Sequence, residues 1–188
     1  ITIQGAEATL DNCTIDSNTA PTGGGLFNLD AQITVSHSTF HANASQTGAG
    51  VSQLNTTGLF LFCEFDANQA QSFGGGAFNN GRCPNYEACR FFANVSNASG
   101  GGMSTAGNPD GGVTERSELV VTNCIFADNR AAQFGGGLFA NGSAGTIANC
   151  TFNNNTAFIN GGGVAENEAA GRYTDCIIWD NHAPRSAL

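Results

Sequence analysis

One motif recurs seven times along the 188 residues and limits the fold more than any other property of the chain. Its clearest copy spans 123–139, N-C-I-F-A-D-N-R-A-A-Q-F-G-G-G-L-F. An apolar residue follows the Cys by two places, an Asn lies three further on, a small residue two after that, and a Gly triplet leads into an apolar step. The key Asn is Asn18, Asn43, Asn68, Asn94, Asn129, Asn155 and Asn181, at steps of 25, 25, 26, 35, 26 and 26 residues. Three places earlier stand Ile15, Phe40, Phe65, Phe91, Phe126, Phe152 and Ile178. Self-similarity at this period is the signature of a solenoid.

The type of solenoid follows from residue chemistry. Twenty-six Gly, with abundant Asn, Ser and Thr, exclude stacked helices. Runs such as L-V-V-T-N-C-I-F are rich in β-branched and aromatic residues and read as short strands. About 25 residues suit one turn of a coil with three short strands, stacked on its neighbours at ~4.8 Å. The expectation is an all-β, right-handed parallel β-helix of about seven rungs, right-handed crossover being the rule for parallel strands. Residues 1–188 then form a single repeat domain. Both ends fall in mid-repeat, so the chain is expected to be a segment of a longer solenoid. The 35-residue step marks an inserted loop near 103–116, with Pro109-Asp110-Gly111 as its turn signal.

The repeat assigns a task to each column. Phe and Ile stack inside, the Asn side chains form a ladder along the axis, and the Gly triplet permits a sharp bend. After each bend alternation sends Leu26, Ala77 and Leu138 inward and Phe27, Phe78 and Phe139 outward, an aromatic strip suited to a partner. The competing expectation folds these rings against neighbouring rungs. Phe73 and Phe134, just before the bends, would widen the strip.

The F-x-x-N and G-G-[x]-apolar elements resemble the repeats of the chlamydial polymorphic outer membrane proteins. F-H-A-N, F-D-A-N, F-F-A-N, F-A-D-N and F-N-N-N carry the resemblance, with G-G-G-[L/A/M/V] or G-A-G-V following each bend. Gly usually replaces the Ala of that family's motif, and Ile replaces Phe in the first and last copies. The resemblance covers nearly the whole chain and implies a right-handed β-helical passenger on a cell surface, often an adhesin. Similar repeats occur in large secreted eukaryotic proteins. The C-terminal membrane barrel of the chlamydial family is absent from this sequence.

Six of seven Cys hold one repeat position: Cys13, Cys63, Cys89, Cys124, Cys150 and Cys176, with Ser38 in the second copy. Rungs ~4.8 Å apart fall within the Cα spacing of a disulfide. Cys63–Cys89 and Cys124–Cys150 are therefore candidate staples, and Cys83–Cys89 a competing loop. The alternative is an inward stack of thiols acting as small hydrophobes. Eight Asn head N-x-Ser/Thr sequons, against roughly three from composition alone. Asn55, Asn97, Asn141, Asn12 and Asn149 are the candidate glycosylation sites, whereas the ladder should bury Asn43 and Asn94.

A formal charge of −9, with six Arg and no Lys, argues against nucleic acid and anionic membranes. No apolar run approaches the ~20 residues of a membrane helix, so direct membrane insertion is not expected. No zinc spacing, phosphate loop or calcium nonapeptide occurs, and no cofactor is expected. Asp16 and Asp66 share a column with His41 between them, and Asp128 and Asp180 share the next. Such pairs, two rungs or ~9.6 Å apart, are near the upper carboxylate separation of inverting glycosidases. Solvated bends nevertheless provide nothing to raise a carboxyl pKa for general acid catalysis. The expected function is thus structural and non-enzymatic: an extracellular or cell-surface segment for adhesion, display or filament assembly, meeting other protein chains or host and matrix glycans. The alternative is a β-helical polysaccharide hydrolase or lyase.

Overall fold

A computed structural model describes residues 1–107 and 118–184. Every ladder of paired strands is parallel, and each strand pairs with the strand one repeat away, which makes the chain a right-handed parallel β-helix. Sheet A runs from Thr2–Gln4 to Val164–Asn167 and sheet B from Glu7–Asp11 to Ala170–Thr174, with seven strands each. Sheet C runs from Thr14–Asp16 to Ile177–Trp179, again with seven strands. Sheet D has six, from Thr19–Thr22 to Thr156–Ala157, and ends in an isolated Thr156–His182 bridge.

Each full rung therefore has four strands, where sequence spacing predicts three. The additional corner lies within the motif itself. In the third rung, left-handed residues stand at Asn55, Phe62, Ala67 and Gly74, and each turns the chain into the next sheet. The residue before the ladder Asn (Ser17, Ala42, Ala67, Ala93, Asp128, Asn154 or Asp180) has φ between 50° and 58°. A non-Gly residue in this region is strained by its Cβ and needs surrounding contacts to hold it. Only the fourth corner uses Gly in every internal rung. At Gly23, φ is +59°, and an added Cβ would lie 2.4 Å from the Leu26 carbonyl oxygen.

The interior is a column of aromatic rings. In sheet C the register runs Ile15, Phe40, Phe65, Phe91, Phe126, Phe152, Ile178. The five Phe are fully buried, and their successive centroids are 5.1, 4.5, 4.6 and 4.7 Å apart with nearly parallel planes. Parallel in-register pairing imposes this offset stacking, because identical side chains repeat at the strand spacing. Phe60 and Tyr86 of sheet B form a second stack, at 5.0 Å.

The long repeat leaves this register intact. Met103–Ala106 pairs with Leu138–Asn141 in sheet A, and Glu118–Thr122 pairs with Ala144–Ala148 in sheet B. Met103–Ala106, expected at the start of the inserted loop near 103–116, is instead regular strand. Residues 108–117, Pro109, Asp110 and Gly111 among them, lie outside the described residues.

Candidate functional site

The ladder is continuous from Asn18 to Asn181. In a typical rung, the Asn94 Oδ1 accepts from the backbone N–H of Asn68 at 3.1 Å and from its Nδ2 at 2.9 Å. The Asn94 Nδ2 donates to the Phe65 carbonyl at 2.8 Å and to the Asn129 Oδ1 at 3.0 Å. Asn43, Asn68, Asn94, Asn129 and Asn155 are all buried, so each amide satisfies a corner that water cannot reach.

The cysteine column corrects one expectation. None of the seven is joined to another by a disulfide. In-register parallel strands carry their Cβ vectors side by side, so Cβ atoms repeat at about the ~4.8 Å strand spacing, beyond the 3.5–4.5 Å a disulfide needs. The Cα spacing fits and the direction does not. For Cys83–Cys89 as well, no bond forms.

The column instead caps the corner between sheets B and C as the Asn ladder caps the next corner. The Cys63 Sγ donates toward the Leu61 carbonyl two residues back and the Val35 carbonyl of the preceding rung, both at 3.4 Å. Cys89 repeats the pattern with Glu87 and Phe60 at 3.3 and 3.4 Å, and its N–H donates to the Cys124 Sγ at 3.3 Å. Ser38 fits the column because its hydroxyl makes the same bonds, donating to the Ser36 carbonyl at 2.7 Å and accepting from the Cys13 N–H at 3.0 Å. Burial pushes the Cys89 thiol far up, and contact with the sulfurs of Cys124 and Cys63 adds to the rise, so it keeps its proton. Cys63, Cys89, Cys124 and Cys150 are all buried, and native protein is expected to leave them unmodified by iodoacetamide until it unfolds because the reagent cannot reach their sulfurs. Reductant should not move its thermal transition; a drop of several degrees on reduction would contradict the thiol column.

The outer face of sheet A holds the aromatic strip. Leu26, Ala77 and Leu138 are buried, and Phe27, Phe78 and Phe139 point outward, half-buried, as alternation requires. One outward column reads Phe27, Ser52, Phe78, Ser104, Phe139, Ala165, so rings alternate with small residues. Phe73 packs on Phe78 at 6.2 Å and Phe134 on Phe139 at 5.9 Å across the Gly bend. Both sequence expectations hold in part: the rings face out, and their flanks rest on neighbours. Between Phe27 and Phe78, over Ser52, lies a groove of about 280 Å³.

Among the sequons, Asn12, Asn55, Asn97 and Asn149 are exposed, and Asn141 is half-buried, accepting from the Asn167 side chain at 2.8 Å. The acids occupy the columns foreseen for them. His41 Nδ1 lies 2.8 Å from an Asp66 oxygen, and its Nε2 lies 3.9 Å from Asp16, all on the open outer face of sheet C. Asp128 and Asp180 occupy left-handed corner positions, Asp128 bonded to Asn154. A hollow of about 760 Å³ along sheet D has no ionisable side chain in its lining, and one of about 560 Å³ at the corner of sheets A and B is bordered by Glu7, Asp30 and Arg82. Among the described residues no cluster of His, Cys, Asp and Glu is placed to hold a metal ion, and no helix is long and apolar enough to cross a membrane.

Sequence reasoning overlooked a buried polar group beneath sheet A. Gln53 Nε2 donates to the Tyr86 hydroxyl at 3.0 Å, which donates to Asn79 Oδ1 at 2.9 Å; Asn28 Nδ2 reaches Gln53 Oε1 at 3.3 Å. The signal was present, since the alternation that turns Phe27 and Phe78 out turns Asn28 and Asn79 in. Desolvation of Tyr86 pushes its phenol well above its ordinary value. Phe62 was also overlooked: it is exposed at a left-handed corner, stacked on the His37 ring at 5.3 Å.

A family model described as "Right handed beta helix region" matches residues 1–174. No curated protein matches the chain.

Proposed function

The chain belongs to the right-handed β-helix family, and from that premise we propose that it is a stiff structural segment of an extracellular or cell-surface assembly. It engages other protein chains or matrix glycans and does no catalysis. The observation that carries this reading is the outer face of sheet A. Its outward positions bear no Asp, Glu, Arg, Lys or His, although the chain carries a formal charge of −9. An uncharged strip with regularly spaced rings fits contact with a protein surface or the flat face of a sugar. The continuous ladder and ring stack below give the strip a rigid base. Exposed sequons at Asn12, Asn55, Asn97 and Asn149 are in keeping with a secreted setting, and the F-x-x-N repeats support the narrower reading as a surface adhesin.

Combined replacement Phe27→Ser, Phe78→Ser and Phe139→Ser tests the proposal. Adhesion to extracellular matrix or cell surfaces should be lost while the thermal transition stays within a few degrees. Adhesion unchanged in a folded triple variant would overturn the assignment of the face. Release of reducing sugar from a polysaccharide by the purified chain would overturn the non-enzymatic reading.

A further inference from the structure

Resting on that reading of sheet A, we propose that the partner it meets is a second copy of this chain, packed face to face and antiparallel. The register of the outward column sets the pairing. Number the rungs along the outward column so that Phe27, Phe78 and Phe139 stand at the second, fourth and sixth and Ser52, Ser104 and Ala165 at the third, fifth and seventh. A two-fold axis across the helix, midway between the Phe78 and Ser104 rungs, reverses this order. It then sets Phe139 of the second copy opposite Ser52, Phe78 opposite Ser104 and Phe27 opposite Ala165. Every ring lies at the level of a small residue, Ser52 and Ser104 being nearly covered within their own chain, and all contacts occur twice, as an isologous interface requires.

The groove walled by Phe27 and Phe78 receives Phe139 of the second copy. At the axis the two Phe78 rings lie one rung apart, or ~4.8 Å, a spacing suited to offset stacking. The flanking column has the same alternation: Phe73 falls opposite Ser99, and Phe134 opposite Thr47. A parallel arrangement would set ring against ring at each Phe rung and small residue against small residue between them.

Charge and area favour this occupant. On the outer faces of sheets B and C, which bear Glu7, Asp11, Asp16, Glu64 and Asp66, two copies would have to desolvate or oppose carboxylates, whereas the outer face of sheet A carries no charge to bury. The six paired rungs at ~4.8 Å, by strand and bend widths of ~15–20 Å, cover about 1,000 Å² over the two copies, at the lower limit of a specific interface. The pair should therefore be reversible, with its energy concentrated in the central rings.

Analytical ultracentrifugation of the protein from a host that does not N-glycosylate tests the proposal, because sugar on Asn141 would lie against this face opposite Leu54 of the second copy. The expected result is a discrete, concentration-dependent dimer. Ser52→Phe, which fills the groove, and Phe139→Ala, which removes the ring entering it, should each weaken the dimer by about tenfold or more. The column already accepts Phe on three rungs, so Ser52→Phe is expected to fold, with circular dichroism as the check. Should it fail to fold, Phe139→Ala decides alone. A monomer at all concentrations, a dimer indifferent to the folded variants, or open-ended oligomers from end-on stacking of terminal rungs would each overturn the antiparallel pair. If the chain proves monomeric while the triple Phe→Ser variant still loses adhesion, the pair fails and the proposed function stands.

Discussion

Asn94→Ala is expected to lower the thermal transition by about 10 °C. The substitution removes both acceptor bonds to Asn68 and both donor bonds, to Phe65 and Asn129. It leaves the Asn68 N–H and the Phe65 carbonyl without a partner where water does not reach, at about 1–3 kcal/mol for each such group. The total, roughly 3–5 kcal/mol, corresponds to some 2–4 °C per kcal/mol in a chain of this size. The same change at Asn18, exposed in the first rung, should cost less than about 1 kcal/mol because solvent replaces the lost bonds. Thermal melts of the two variants, followed by circular dichroism, check this. Equal shifts would mean that the ladder does not act through burial.

Phe91→Ala should be comparably severe, at about 3–5 kcal/mol, with Phe91→Leu much milder. Phe91 is fully buried, its ring centred 4.5 Å from Phe65 and 4.6 Å from Phe126. Truncation opens a void that rigid rungs on either side are poorly able to close. In a solenoid each rung contacts only its neighbours, so the damage should be local before it is global. Amide exchange should speed first around Phe65, Phe91 and Phe126 and only later near Ile15. A uniform acceleration along the chain would indicate all-or-none unfolding instead.

Both residues could be picked out from spacing alone, because one period fixes which side chains coincide in a parallel stack. The Phe column, the Asn ladder and the outward rings of sheet A all follow from that rule. What the period leaves open is direction within a rung. Left-handed corners filled by Ala, Ser, Asp or Asn carry no Gly to announce them, so the fourth sheet was hidden inside the motif. The disulfides failed for a related reason: a rung height sets how far apart Cys63 and Cys89 are, and only the Cβ vector decides whether their sulfurs can join. Gln53 and Tyr86 come from different sheets and meet across the interior, and no one-dimensional repeat pairs them.

The ladder has one property that a list of its bonds conceals. Every carboxamide from Asn18 to Asn155 donates to the carboxamide of the next rung and none to that of the rung before, where the second N–H of each buried Asn goes to a backbone carbonyl instead. The amide dipoles therefore add along the axis and polarise one another, as aligned hydrogen bonds do in a low-dielectric interior. The ladder acquires a head and a tail that differ electrically: its Oδ1 side lies toward Asn18, and its Nδ2 side toward Asn181, where the N–H groups turn to the Phe152 and Trp179 carbonyls. Stacking further rungs is a vector operation that extends the ladder only when the sense is kept. Two rods laid side by side in opposite senses cancel each other's field, and two laid in the same sense do not.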